Sequence, residues 1–258
     1  MAENDTTTLA EDQDLHAFRD QYYGLLVGLL WKEPEPAQLD ALSSGLAERA
    51  EAAGRIHPDL GEGWELIGKA LQADAPHETV VREYTTLFLG PFQPELALYE
   101  SRYLVDAMYH EPLITVREFM KQVGLEKTGN DYREPEDNLA FELEIMHWLL
   151  QRQLGAAGGP EAGVWLERQA DFAKEHLLCW VSQAARDMRQ AESAVFYRGV
   201  AALLAGFMEL EQEVLAEIGD APLMDLEAAR KKYQGRPMWR GPTVEFGQDG
   251  EDGGGKPN

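Results

Sequence analysis

Cysteine is nearly absent from this 258-residue chain, which holds only Cys179. No internal disulfide can form, and that usage fits a reducing cytoplasm. Cys179 sits in the apolar run LLCWV, where it reads as a small buried hydrophobe. Long hydrophobic runs are missing too. The longest, residues 22–31, is far too short to span a bilayer. The N-terminal stretch MAENDTTTLAEDQDL lacks both the basic and the apolar regions of a secretory signal, so a soluble cytoplasmic protein is expected. Positive charge is scarce: 23 Lys and Arg face 46 Asp and Glu, for a net charge of −23. Such a surface repels phosphate backbones and anionic membranes. A basic peptide or protein segment would be attracted.

Chemistry-bearing motifs are equally thin. There is no nucleophile elbow, no phosphate-binding glycine loop and no HExxH. His16, His57, His77, His110 and His176 show no ligand spacing. Glu144 and His147 stand three residues apart, as in bundle carboxylate metal sites, but a second such pair is absent. A metal enzyme using Glu142, Glu144 and His147 is the alternative of another class. The expectation is a non-enzyme with no metal and no cofactor. A helical scaffold without a redox client is a third reading.

What the chain does have is helical periodicity. Leu15, Phe18, Tyr22, Leu25, Leu26 and Leu29 predict a first helix from Asp12 or Asp14, ended by Pro34 and Pro36. A second, with Leu39, Leu42 and Leu46, stops at Gly54; a short third follows Gly61 with Trp64, Ile67 and Leu71. Pro76 opens the next, and Pro112 another that ends at Gly124. RYLVDAMYH, from Arg102, is ambiguous between helix and extended chain. Leu139, Leu143, Met146 and Leu150 mark a strong helix from Glu134-Pro135, and GAAGGP at 155–160 is a linker and a candidate hinge. Three further helices are expected at 161–173, 175–190 and 193–218. No period-2 alternation is sustained. The fold class is therefore all-α: a single-domain compact bundle of about eight to ten helices. It occupies residues 12–220, between a disordered stretch at 1–11 and a largely disordered, Gly-rich extension at 221–258.

Two stretches stand out. REYTTLFLGPFQPELALYES, residues 82–101, starts as an amphipathic helix, breaks at Gly90-Pro91 and continues as a loop with Phe92, Leu96, Leu98 and Tyr99. Loops are normally polar; this one must tuck onto the core or offer a sticky surface. The second, EPEDN at 134–138, is an acidic turn after Tyr132-Arg133. Proline and acids suit a helix start. Exposed acids there could also capture arginines from a ligand through charge-assisted bonds. His176 and Trp180, one helical turn apart, read as core packing.

Five segments in order resemble the TorD/DmsD/NarJ family of molybdoenzyme chaperones. They are EYTTLFLGP at 83–91, YES at 99–101, EPEDN at 134–138, EHLLCW at 175–180 and AESAVFYRGVAALLAGF at 191–207. The similarity runs from about Tyr22 to Val214. It implies an all-helical, non-catalytic protein that binds the twin-arginine signal peptide or N-terminal region of a molybdopterin oxidoreductase catalytic subunit. The client would be held for cofactor insertion before export or assembly. A chaperone for a non-exported subunit is the alternative, and a monomer or a domain-swapped dimer would both fit. The client-binding residues so implied by motif are Tyr84, Leu87, Phe88, Gly90, Pro91, Glu134, Pro135 and Asp137; Phe92, Glu100, Tyr132, Asn138, His176 and Trp180 join them as candidate client-binding residues. Asn138 replaces the usual histidine and cannot carry its positive charge. Gly-Pro-Phe replaces the common Gly-Pro-Gly. The two loops are expected side by side, forming one groove.

Overall fold

A computed structural model describes residues 13–90, 93–128, 134–156 and 158–234. Its helices are α1 (Gln13–Leu30), α2 (Pro36–Ser43), α3 (Leu46–Ile56), α4 (Pro58–Leu71), α5 (Pro76–Tyr84) and α6 (Glu100–Val105). They continue as α7 (Glu111–Val123), α8 (Leu139–Gly155), α9 (Gly159–Phe172), α10 (Val181–Gln190), α11 (Phe196–Leu215) and α12 (Leu226–Tyr233). The described residues hold no strand, only an isolated antiparallel bridge between Tyr99 and Asn138. No described helix is long and apolar enough to cross a membrane.

Twelve helices exceed the expected eight to ten, for local reasons. The second expected helix is two, split where Gly45 takes a left-handed conformation at φ 65°. The short stretch before Asp106 closes as α6, and α12 forms inside the region assigned to the C-terminal extension. By sequence Gly54 marks a helix stop and Gly61 a start. Both lie inside helices, because α3 and α4 cross there. A Cβ on Gly61 would come within 2.7 Å of the Gly54 Cα. Glycine here permits close approach rather than a turn.

α11 runs through the middle of the bundle, with Val200, Leu203, Leu204 and Phe207 fully buried. Each such side chain contributes about 1.5–3 kcal/mol. α4 lies against it so closely that a Cβ on Gly199 would meet the Gly63 carbonyl at 2.8 Å. α1 closes the other side through Tyr22, Tyr23 and Phe18, whose rings pack around Phe207. Arg19 is buried there as well. Its guanidinium holds Glu211 at 2.6 and 2.8 Å and donates to Gln169 at 2.9 Å. Tyr23 donates to the same carboxylate at 2.6 Å. The pairing is what lets a charge sit in the core; removing one partner costs about 3–5 kcal/mol.

The expected break between Ala173 and Glu175 is displaced. α9 passes into a wider π-type turn over Ala173–Leu177, and the chain breaks at 178–180 instead. His176 and Trp180 are thus on different segments, not one helix face.

A groove between two interlocked loops

α5 also widens into a π-type turn, Thr85–Leu89, before Gly90 reverses the chain at φ 54° and ψ 151°. A Cβ at Gly90 would lie 2.3 Å from the Gln93 carbonyl, so no other residue fits. The chain then returns extended beside the helix it left: Leu96 N–H donates to the Leu87 carbonyl at 2.8 Å. Leu96 and Leu98 tuck inward, whereas Leu89 stays 52% exposed.

The acidic turn docks on the end of this segment. Glu100 N–H donates to the Asp137 carbonyl at 2.8 Å, and Leu139 N–H to the Leu98 carbonyl at 3.0 Å. Tyr99 O–H donates to Glu134 at 2.5 Å. The two loops do lie side by side, and a cavity of about 450 Å3 opens along them. Its wall combines Tyr84, Phe88, Leu89, Leu96, Leu98 and Tyr99 with Glu134 and Asn138. Leu30, Trp31, Lys32 and Glu33, from the exit of α1, complete it. Sequence reasoning missed that third side. The signal was LLWKE, an aromatic with an acid two residues on at a helix end, the same pairing of characters that marked the other loops.

The wall is acidic. Tyr84 feels it: burial, then the charges of Glu134 and Glu33, push its phenol up to about 12. Tyr99 is raised further, by burial and then its bond to Glu134. Lys32 is engaged with Glu35 at 2.6 Å.

The expected binding residues divide. Tyr84, Phe88, Glu134 and Asn138 line the groove. Asn138 also caps α8, its side chain accepting from Ala140 N–H at 3.0 Å. Leu87 is core, Gly90 makes the turn and Pro135 is buried. Pro91, Phe92 and Tyr132 lie outside the described residues. Glu100, Asp137, His176 and Trp180 are fully buried behind the wall and do not line it. The expectation of an exposed acidic cluster therefore fails for two of its three acids. Asp137 accepts from both the N–H and the O–H of Ser101. Glu136 pairs with Arg117 at 2.7 Å. Each acid found a donor, which removes the cost that had argued for exposure.

Behind the wall, His176 Nδ1 meets Glu100 at 3.1 Å and Trp180 Nε1 donates to Glu142 at 3.0 Å. Burial, then the charges of Glu100 and Asp137, hold the Glu142 carboxyl well above the usual range. Burial likewise raises the Asp137 carboxyl, against the pull of the Ser101 bonds. The cluster ties α6, the acidic turn, α8 and the segment after α9 together.

Glu83, the residue before Tyr84, reaches across the bundle. Its carboxylate accepts from the N–H groups of Val195, Phe196 and Tyr197 at 2.8, 3.0 and 2.7 Å, capping α11. Phe88 and Tyr84 pack edge-on and tilted against Tyr197. Two of the five sequence segments are thus one structural joint, and the groove is built on it.

A family model described as nitrate reductase delta subunit matches residues 53–186, more than half of the chain and both loops. The chain belongs to this family. Relatives of this TorD/NarJ-type chaperone carry chaperone names. TorD of Vibrio cholerae serotype O1 (strain M66-2) is 22% identical over 213 residues, covering 79% of this chain and 94% of its own. The perchlorate reductase assembly chaperone of Dechloromonas aromatica (strain RCB) is 27% identical over 225 residues, covering 81% and 96%. TorD of Aeromonas salmonicida (strain A449) is 27% identical over 172 residues, covering 66% and 76%. The chain is a chaperone by family, not an enzyme. Its Glu144-x-x-His147 pair faces Asp20, which His147 meets at 2.9 Å, while Glu142 turns to the opposite, buried side. Among the described residues no group of three or more His, Cys, Asp or Glu is arranged to hold a metal.

Proposed function

We propose that this protein is a cytoplasmic maturation chaperone whose groove takes the arginine-bearing N-terminal segment of a molybdopterin oxidoreductase catalytic subunit, its twin-arginine signal peptide. It holds the subunit for cofactor insertion before export or assembly. The observation that carries the reading is the meeting of Glu33 and Glu134 with Tyr84, Phe88 and Leu89 in one groove. A signal peptide pairs arginines with an apolar run, and that wall matches both. The net charge of −23 would speed encounter with a basic segment. Family membership and the relatives' names support the chaperone part of the reading.

Calorimetric titration with a synthetic peptide of an arginine pair followed by a leucine/alanine run tests it. Binding that weakens with salt and with Glu134→Gln is expected. A peptide whose arginines are replaced by glutamine binding equally well would overturn it. Co-purification and mass spectrometry then name the client. A partner subunit with no arginine pair would favour the chaperone of a non-exported enzyme.

A further inference from the structure

The groove does not end at Trp31. That half-buried indole is the partition between two cavities. On its far side lies a second, of about 560 Å3, between the C-terminal end of α7 and one face of α8. Phe141, Ile145, Trp148 and Arg152 recur along α8 at helical spacing and form one wall. Met120 and Leu125 form the other. The Trp31 and Phe141 rings stack at 5.7 Å across the boundary. Lys127 spans it too: its ammonium donates to the Glu134 carbonyl at 2.7 Å and lies 5.4 Å from the Phe141 ring.

The two cavities differ in charge. The first sets Glu33 and Glu134 against one cation, Lys32, which is already engaged with Glu35. The second balances Glu126 and Glu144 with Lys127 and Arg152, and the Arg152 guanidinium lies over Trp148 at 4.8 Å. Arginines on a ligand gain from the first cavity and nothing net from the second. Apolar side chains gain from the aromatic walls of the second. A cavity of about 450 Å3 is also the size of a small-molecule site (about 300–1,000 Å3), too little for an arginine pair and a whole apolar run.

We infer that the second cavity is the subsite for the apolar run of the client segment, so that the peptide lies with its arginines at Glu33 and Glu134 and its hydrophobic stretch across Trp31 on the Phe141–Ile145–Trp148 face of α8. This rests on the proposed function and gives the bound segment a direction.

Photo-crosslinking of the full wild-type chain tests it. The probe is the arginine-pair peptide with benzoylphenylalanine late in its leucine/alanine run, mapped by digestion and mass spectrometry. Adducts on residues 141–152 are expected. Trp148→Ala should also weaken the complete peptide roughly tenfold, the scale of one apolar side chain's burial. It should leave a peptide truncated just after the arginines unaffected, whereas Glu134→Gln weakens both. Adducts confined to residues 84–98, or to Tyr109 and Leu113 on the other side of α7, with binding intact, overturn the second subsite and leave the groove standing. No binding by any peptide overturns the groove reading and this inference with it.

Discussion

Tyr99 and Glu134 share a 2.5 Å hydrogen bond that clasps the returning loop to the acidic turn. The carboxylate is thus both a structural acceptor and the groove's acid from that turn. Glu134→Gln separates the roles, because an amide oxygen still accepts from the phenol but carries no charge. Peptide affinity should fall roughly ten- to hundredfold, the scale of one charge-assisted bond. Thermal stability should stay close to wild type. Isothermal titration beside differential scanning calorimetry checks both.

Phe88→Ala should weaken the same peptide through a different part of the wall. The ring packs on Tyr84 and Tyr197 at 5.1 and 5.0 Å, so some stability goes with it, about 1–2 kcal/mol for a half-buried aromatic. The loss in affinity should be independent of salt, in contrast to Glu134→Gln. Titrations at low and high ionic strength distinguish the two.

Asp137→Ala should act on the fold rather than on contact with the ligand. It strips Ser101 of the acceptor for its N–H and O–H inside the core. Leaving those donors unpaired costs about 2–4 kcal/mol. Urea unfolding should show a lower midpoint, and any peptide binding should recover at low temperature in proportion to the folded fraction.

Glu142 gives the chain a specific pH dependence. Its carboxyl is held well above the ordinary glutamate range in the folded state, by burial and then by the charges of Glu100 and Asp137. A raised folded-state value means the favourable contribution is complete at acid pH. It is lost as pH rises from the ordinary glutamate range toward and through the raised value, at about 1.4 kcal/mol per pH unit. Glu142→Gln keeps the bond from Trp180 and removes the titration. The variant should gain on wild type as pH rises above the ordinary glutamate range and show a flatter stability curve. Parallel curves from pH 5 to about pH 9 would place the titration elsewhere.

Much of this was legible in residue order. The apolar faces of α1, α8 and α11 follow from spacing alone, since a bundle core selects period 3.6. The groove was legible as two loops of opposite character. Three things were not. Glycine carries no sign telling turn from close approach, so Gly54 and Gly61 read as helix ends. An acid carries no sign telling solvent from a distant donor, and the partner of Asp137 is Ser101 at the start of α6, 36 positions away. Trp31 was counted within an apolar run; its position as a partition depends on where α8 lies against α1, which local sequence does not contain. The Arg19–Glu211 pair hides the same way, 192 positions apart.

The cap that Glu83 places on α11 also sets an order of events. Its three N–H donors belong to residues 195–197. Synthesis runs from the N-terminus, so every described residue of the groove wall has been made long before its footing exists. A nascent chain halted ahead of α11 has both loops and nothing to seat Glu83. The contact is long-range, and such closures come late and slowly. The footing of the groove wall is therefore complete only once residues 195–197 have been made, near the end of translation.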